Sequence, residues 1–345
     1  MISSLLFWGV FAGLLFVVRR QPLLWPLLAL GLLLLFNQLF TPGFFDLKIL
    51  DGHLYGTRID ILNHGAKVML LALGMTLVIA TGGVDLSVGA IMAIAGAVVA
   101  QLVVAQGAPA PAAIAAALGV SVLLGAWNGL LVAGIGIQPI VATLILMVAG
   151  RGIAQLITDG QIINFDHPAL VYLGNGHLLG LPFTLTLVLV MLAATQLLTR
   201  RTALGLFIES VGDNDTASRF AGVNARLVKF MAYVFAGLCA GLAGLVAASN
   251  IKSADANHAG LYMELDAILA VVVGGTALTG GRFHLVGSVV GALLIQTLTT
   301  TMYARNVSAD IAPVPKALVI IAVCLLQSEV SRRWFARVFR GGKAS

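Results

Sequence analysis

The acid that stands out in this chain is Asp85, set in TGGVDLSVG (Thr81–Gly89) with Ser87 two residues on, between apolar stretches. An ionised carboxylate at the centre of a bilayer costs about 2.5–3.5 kcal/mol on insertion scales, so this one must be paired, protected or near an interface. Two kinds of chemistry suit it: an N-cap for the following helix, or a gate or helix-breaking element lining a cavity. Catalysis suits it poorly, because no nucleophile, base or metal constellation recurs around it. The six histidines (His53, His64, His167, His177, His258, His284) are scattered without an HxxxH or Cys/His cluster, so no metal is expected. Cys239 and Cys324 both sit in apolar runs, which reads as buried free thiols rather than a disulfide. No G-x-x-x-x-G-K-[ST] phosphate loop is present; the Gly342-Lys343 pair precedes Ala344, so any energy from ATP must come from another polypeptide.

The elements that position these residues follow from composition. Of 345 residues 59% are apolar and 10% charged, with a mean hydropathy of +1.02, which excludes a soluble globule. At about 20 apolar residues per crossing, ten helices consume roughly 200 residues and leave the remainder for loops. The apolar runs predict spans near 22–40, 64–82, 86–105, 112–134, 140–158, 183–199, 227–248, 265–280, 284–303 and 312–327, the eighth and ninth short and interrupted by glycine. The reading is an all-α polytopic membrane protein with about ten transmembrane helices. No alternating ten-residue strand pattern supports a barrel, and the 39 glycines suit close helix packing.

Charge sets the orientation. With Arg19-Arg20 inside, alternating spans place thirteen of the twenty basic residues in the cytoplasm, including Arg200, Arg201, Arg219, Arg226 and Lys229. Residues 1–21 form an apolar extension, either an eleventh peripheral helix or an interfacial segment; 22–330 form the membrane domain, and 331–345 a basic cytoplasmic tail. The surplus of six positive charges does not make nucleic acid a partner, since it is spread along membrane flanks. Two outer loops, 41–63 and 159–182, are long enough to have structure.

Glycine motifs recur. GxxxG at Gly125–Gly129 and Gly237–Gly241 reads as helix packing. A TGG-x5-G pattern at Thr81–Gly89 returns at Thr279–Gly287, either an internal duplication or chance. The one sizeable cytoplasmic loop, Thr199–Met231, predicts a short helix opened by Asp213, Asn214 and Asp215, running to about Phe220 and ended by Gly222. By itself such a helix is a connector or a docking element.

Four segments, LALGMTLVIATGGVDLSVGAIMAIAGA (Leu71–Ala97), ATLILMVAGRGIA (Ala142–Ala154), ESVGDNDTASRFAGVN (Glu209–Asn224) and ELDAILAVVVGGTALTGGR (Glu264–Arg282), together resemble the ribose and galactose permease family of ABC importers. DGHLYGTRIDILN (Asp51–Asn63) and ADANHAGLYMELDAILA (Ala254–Ala270) look most similar to galactofuranose-type permeases. The resemblance implies a type II ABC importer-like fold in the bacterial inner membrane, two permease chains as homo- or heterodimer, an ABC ATPase subunit docked inside, and a periplasmic sugar-binding protein outside. No cofactor is implied for the permease itself, since ATP is used by the partner, and its remaining partner is membrane lipid. It also implies that Glu209, Gly212, Asn214, Ala217, Arg219 and Gly222 form the coupling element. A neutral sugar on such a path wants weak hydroxyl partners rather than charges. Candidates are Asp85, Ser87, Asn128, Gln138, Thr143 and Gln155, with Trp127 as a stacking surface, each also open to a packing role. Arg151 suits a structural ion pair, and Glu264 with Asp266 suit either helix capping or contact with the binding protein. Two other readings stand beside the importer: an ion-gradient transporter with Asp85 as ion site, and a branched-chain amino-acid permease, which would want more charge along the path.

Overall fold

The computed structural model describes residues 23–50, 53–308, 311, 313–318 and 321. The N-terminal extension, most of the 312–327 span, Cys324 and the basic tail lie outside the described residues.

The architecture is helical: α1 (Leu24–Phe40), α2 (Thr57–Ala80), α3 (Val88–Ala105), α4 (Ala110–Gly129), α5 (Pro139–Ile157), α6 (Pro168–Asn175), α7 (Phe183–Arg201), α8 (Leu204–Asp213), α9 (Asp215–Phe220), α10 (Ala225–Ile251), α11 (Met263–Val273) and α12 (Leu285–Ala304). Among the described residues seven helices are long and apolar enough to cross a membrane. Six short strands accompany them: β1 (Lys48–Leu50) with β2 (His53–Tyr55), β4 (His177–Leu178) with β5 (Leu181–Pro182), and β3 (Ile163–Asn164) with β6 (Ser253–Ala254), all antiparallel. The expected outer loops thus carry small ribbons, and the last of these ties the 159–182 loop to the segment after α10.

α2 and α10 are the core. From Gly65 to Ala80 every residue of α2 except Lys67 is buried, the signature of a helix apolar all round and enclosed by others. α10 packs against α2, α3 and α4, while α4, α5 and α7 keep most of their apolar surface outward. Close approach depends on glycine: a Cβ at Gly125 would stand 3.0 Å from the Gly237 Cα, and one at Gly241 would meet Ser121. Both GxxxG motifs therefore serve helix packing.

Four expectations need correction. α2 begins at Thr57, not 64, so the preceding outer loop is shorter. The eighth span is an eleven-residue helix, α11, only about 16 Å long and too short to cross alone; Gly274 and Gly275 (φ +93°) end it. The ninth is an unbroken twenty-residue helix, since Gly287 and Gly291 lie against the backbone of Gly274 and Ala270 rather than interrupting it. The 199–231 loop holds two helices, α8 and α9, not one.

The grouping of ends agrees with the alternation. Ala80, the α7–α9 region and Gly281 meet at one end, where Gly281 N–H donates to the Ala80 carbonyl at 2.9 Å and Arg200 Nη2 to the Phe283 carbonyl at 3.1 Å. At the other end Thr184 donates to Asn63 (2.8 Å) and Asn250 to the Gly174 carbonyl (2.7 Å).

Candidate functional site

The end carrying basic residues is built around α8 and α9. Asn214 leaves the helical region and its Oδ1 accepts the Ala217 N–H at 2.9 Å, capping α9. Val223 N–H reaches the Ser218 carbonyl at 3.0 Å across Gly222 (φ +88°), a Schellman closure that places glycine where a left-handed residue is required. Asp215 pairs with Arg219 at 2.8 Å and Lys229 at 2.6 Å. Partial burial pulls its carboxyl upward, but hydrogen bonds from Lys229 and Arg219 outweigh that and hold it below the usual carboxylate range. At the tip Phe220 is 90% exposed, flanked by exposed Ala217 and Ala221.

The six coupling candidates divide by position. Asn214, Ala217, Arg219 and Gly222 are exposed; Glu209 faces Arg200 at 3.4 Å, and Gly212 is packed inward. A Cβ on Gly212 would run into the Ala80 carbonyl and the Gly281 amide, and one on Gly280 would lie 2.8 Å from the Gly212 carbonyl and 3.0 Å from the Gly82 amide. The two TGG segments, far apart in sequence, therefore touch, with α8 wedged against both. Spacing alone could not show this, because it is a contact between backbones.

Beyond the first TGG the chain passes through a short non-helical stretch and a turn at Leu86–Ser87 into α3. Asp85, fully buried, accepts the Ser87 N–H at 2.9 Å and the Ser87 hydroxyl at 2.6 Å, and Asn128 Nδ2 donates to Ser87 Oγ at 2.7 Å. Asp85 is thus not an N-cap of α3: Ser87 holds that position, makes no side-chain cap, and Asp85 holds the turn leading to it. Tyr233 on α10, which no sequence motif singles out, donates its hydroxyl to the Val84 carbonyl at 3.3 Å and closes the cluster. Asp85 Oδ2 and Asn128 Oδ1 have no partner among the described residues.

α3 and α11 start close together. A Cβ on Gly89, one residue into α3, would meet the Gly260 carbonyl and stand 2.6 Å from Glu264 Oε2 at the first turn of α11. Two helix N-termini, entered from opposite ends of the molecule, thus converge on buried Glu264, an arrangement of interrupted helices tolerated where backbone is enclosed by protein or lines a cavity. Arg151 donates to the Ala256 and Ala259 carbonyls of the entering segment rather than forming the expected ion pair. Asp266 takes Lys316 at 2.9 Å.

The remaining pathway candidates do not assemble within one chain. Trp127 is 52% exposed on the outward side of α4, Gln138 is exposed at the start of α5, buried Thr143 bonds back to the Pro139 carbonyl, and Gln155 meets Asn257 at 2.8 Å near the far end. Only Asp85, Ser87 and Asn128 come together.

The sequence matches the family described as branched-chain amino acid transport system / permease component over residues 57–326. It is 54% identical over 310 residues to the galactofuranose transporter permease protein YtfT of Escherichia coli (strain K12), covering 88% of this chain and 91% of that one. It is 39% identical to the fructose import permease protein FruF of Bifidobacterium longum (strain NCC 2705), covering 89% and 87% of the two chains. With the ribose import permease protein RbsC of Escherichia coli (strain K12) it shares 35%, over 88% and 92%. No solved structure matches the chain. A helical bundle with spans suited to a membrane, an exposed apolar knob at its basic end and relatives matched over most of both chains lead to one conclusion: this chain belongs to the branched-chain amino acid transport system / permease component family and is a multi-pass inner-membrane permease.

Proposed function

We propose that this chain is the membrane-spanning subunit of an ATP-driven importer of a monosaccharide of galactofuranose type, with ATP hydrolysed by a separate subunit docked on α9 and sugar delivered by a soluble binding protein at the opposite end. The relatives named for galactofuranose, fructose and ribose support a sugar over an amino acid. The observation that carries the mechanism is the contact of Gly212 with Ala80 and Gly281.

Closure of the ATPase presses on exposed Ala217, Phe220 and Ala221. Because α8 has no room at Gly212, the push passes to the ends of α2 and to the Gly280–Gly281 turn instead of being absorbed. Those turns lead directly into the non-helical 81–87 segment before α3 and into α12, so the interrupted elements reorient as a unit, a rigid-body shift of the kind used by packed helical switches. The Asp85–Ser87–Asn128 cluster keeps the start of α3 attached to α4 during that shift. A pair of such chains, identical or related, encloses the path.

The test is ATP-driven uptake by the reconstituted importer. Uptake that survives a protonophore and stops on ATP depletion supports this reading; uptake collapsed by the protonophore while ATP remains would replace it with a gradient-driven carrier using Asp85.

A further inference from the structure

Between α2, α3, α10 and the 253–263 segment lies a cavity of about 220 Å³. Its walls are mostly small or apolar, including Ala93, Gly96, Gly244 and Ala247, and the polar residues among them are Lys67, Ser253, Asp255 and His258. Lys67 sits ten residues into α2, about 15 Å along its axis, inside an otherwise buried apolar run. No carboxylate lies within ion-pair distance of it among the described residues. An ionisable side chain set among buried apolar neighbours is expensive unless water or a ligand solvates it, and a lysine offers three donors that want acceptors.

Asp255 fixes the character of the acceptors. Its Oδ1 takes the Asn257 N–H at 2.9 Å and the His258 N–H at 3.2 Å, and its Oδ2 meets His258 Nδ1 at 2.8 Å, leaving a further acceptor position on Oδ2. Hydrogen bonds from His258 and the loop amides offset the effect of partial burial and hold this carboxyl below the usual range, so it stays charged at neutral pH. A lysine donor and a carboxylate acceptor therefore line the cavity. An anion would meet Asp255, a cation would meet Lys67, and a neutral polyhydroxyl compound finds donors and acceptors for its hydroxyls. The volume fits a single sugar ring. His258, 79% exposed, stands at the mouth on the end opposite α9, and the floor at Gly260 and Met263 is the place where the starts of α3 and α11 converge.

We propose that this cavity is a resting site for one neutral monosaccharide within each permease chain, entered past His258 and held by Lys67 and Asp255. The inference rests on the importer reading and adds where the cargo pauses. Its position over the converging helix starts means that the same displacement that begins at Gly212 reshapes its floor, which gives a route from ATPase closure to release.

Two measurements on the complete importer in proteoliposomes test it. In a background with Cys239 and Cys324 replaced by alanine, Ala247→Cys, which lines the cavity and leaves Lys67 and Asp255 in place, should react with a small maleimide, and saturating D-galactose, D-ribose or D-fructose should slow the reaction at least about threefold, while inorganic phosphate should not. Ala247→Phe, which fills the cavity, should lower uptake at least about tenfold with ATPase assembly and binding-protein docking intact. The site is overturned if no imported sugar protects the Ala247→Cys variant from labelling, if phosphate protects it instead, or if Ala247→Phe transports at the wild-type rate. A wild-type complex that imports none of these sugars overturns the importer reading itself, and the site with it.

Discussion

The two ends of the molecule are packed on opposite principles. At the basic end Gly212, Gly280 and Gly82 bring three backbone segments so close that no methyl group fits between Gly212 and Ala80, whereas at the other end Lys67, Asp255 and Ala247 surround open space. Dense interiors transmit displacement because they are not compressible, and a hollow can change shape at small cost. The difference separates a region suited to carrying force from one suited to carrying cargo.

The largest effect should come from closing the space that the basic end lacks. Gly212→Val places side-chain atoms into the Ala80 carbonyl, so ATP-driven uptake should fall to background; uptake above about a tenth of wild type would show that this junction is not under the constraint described. Next, Ala217→Arg with Gly222→Asp should abolish transport while membrane insertion, followed by protease protection, is unchanged. This separates docking on α9 from the packing below it, since both residues are exposed.

A smaller effect tests the polar cluster between the two ends. Asn128→Leu removes the donor to Ser87 and leaves buried oxygens without a partner, which should cost about 1–3 kcal/mol and lower the Tm of the purified permease. Asp85→Asn keeps the shape and the Ser87 contacts and should be milder; if it instead abolishes uptake with the Tm unchanged, Asp85 has a role beyond holding the turn. The smallest effect belongs to Asp215. Because its folded-state carboxyl titrates below its unfolded value, the Arg219 and Lys229 pairs stabilise α9 above the ordinary carboxylate range, and that stability disappears as pH falls through the folded value. Asp215→Asn should cost roughly 0.2–1 kcal/mol at neutral pH and remove this pH dependence, measured by hydrogen exchange in residues 214–223.

Much of this is legible in the chain. The apolar runs locate every described helix that is long enough to cross, because about 20 apolar residues in a row have few other stable places. Charge asymmetry groups the ends, and Asn214 with Gly222 bounds α9 through local hydrogen bonding and a left-handed backbone. Gly274 and Gly275 hint at the shortness of α11 without measuring it, since Met263–Val273 is as apolar as a span half again as long. Asn128 stands out as an amide in a greasy helix, yet its acceptor on Ser87 is 41 residues away. Lys67 carries a signal too, as a lysine near the start of the apolar run that extends to Ala80, but nothing local says what it faces.

What the sequence by itself determined is therefore what depends on neighbours along the chain: transmembrane spans, their alternation, the cap and stop of α9, and a family resemblance carried by ordered motifs. Only the tertiary structure decided that both TGG segments lie against Gly212, that the starts of α3 and α11 meet at Gly89 and Gly260, and that Lys67 faces a void. Those depend on close approach between backbones far apart in sequence, and a glycine reads the same in a sequence whether it is needed for a turn, a contact or nothing at all.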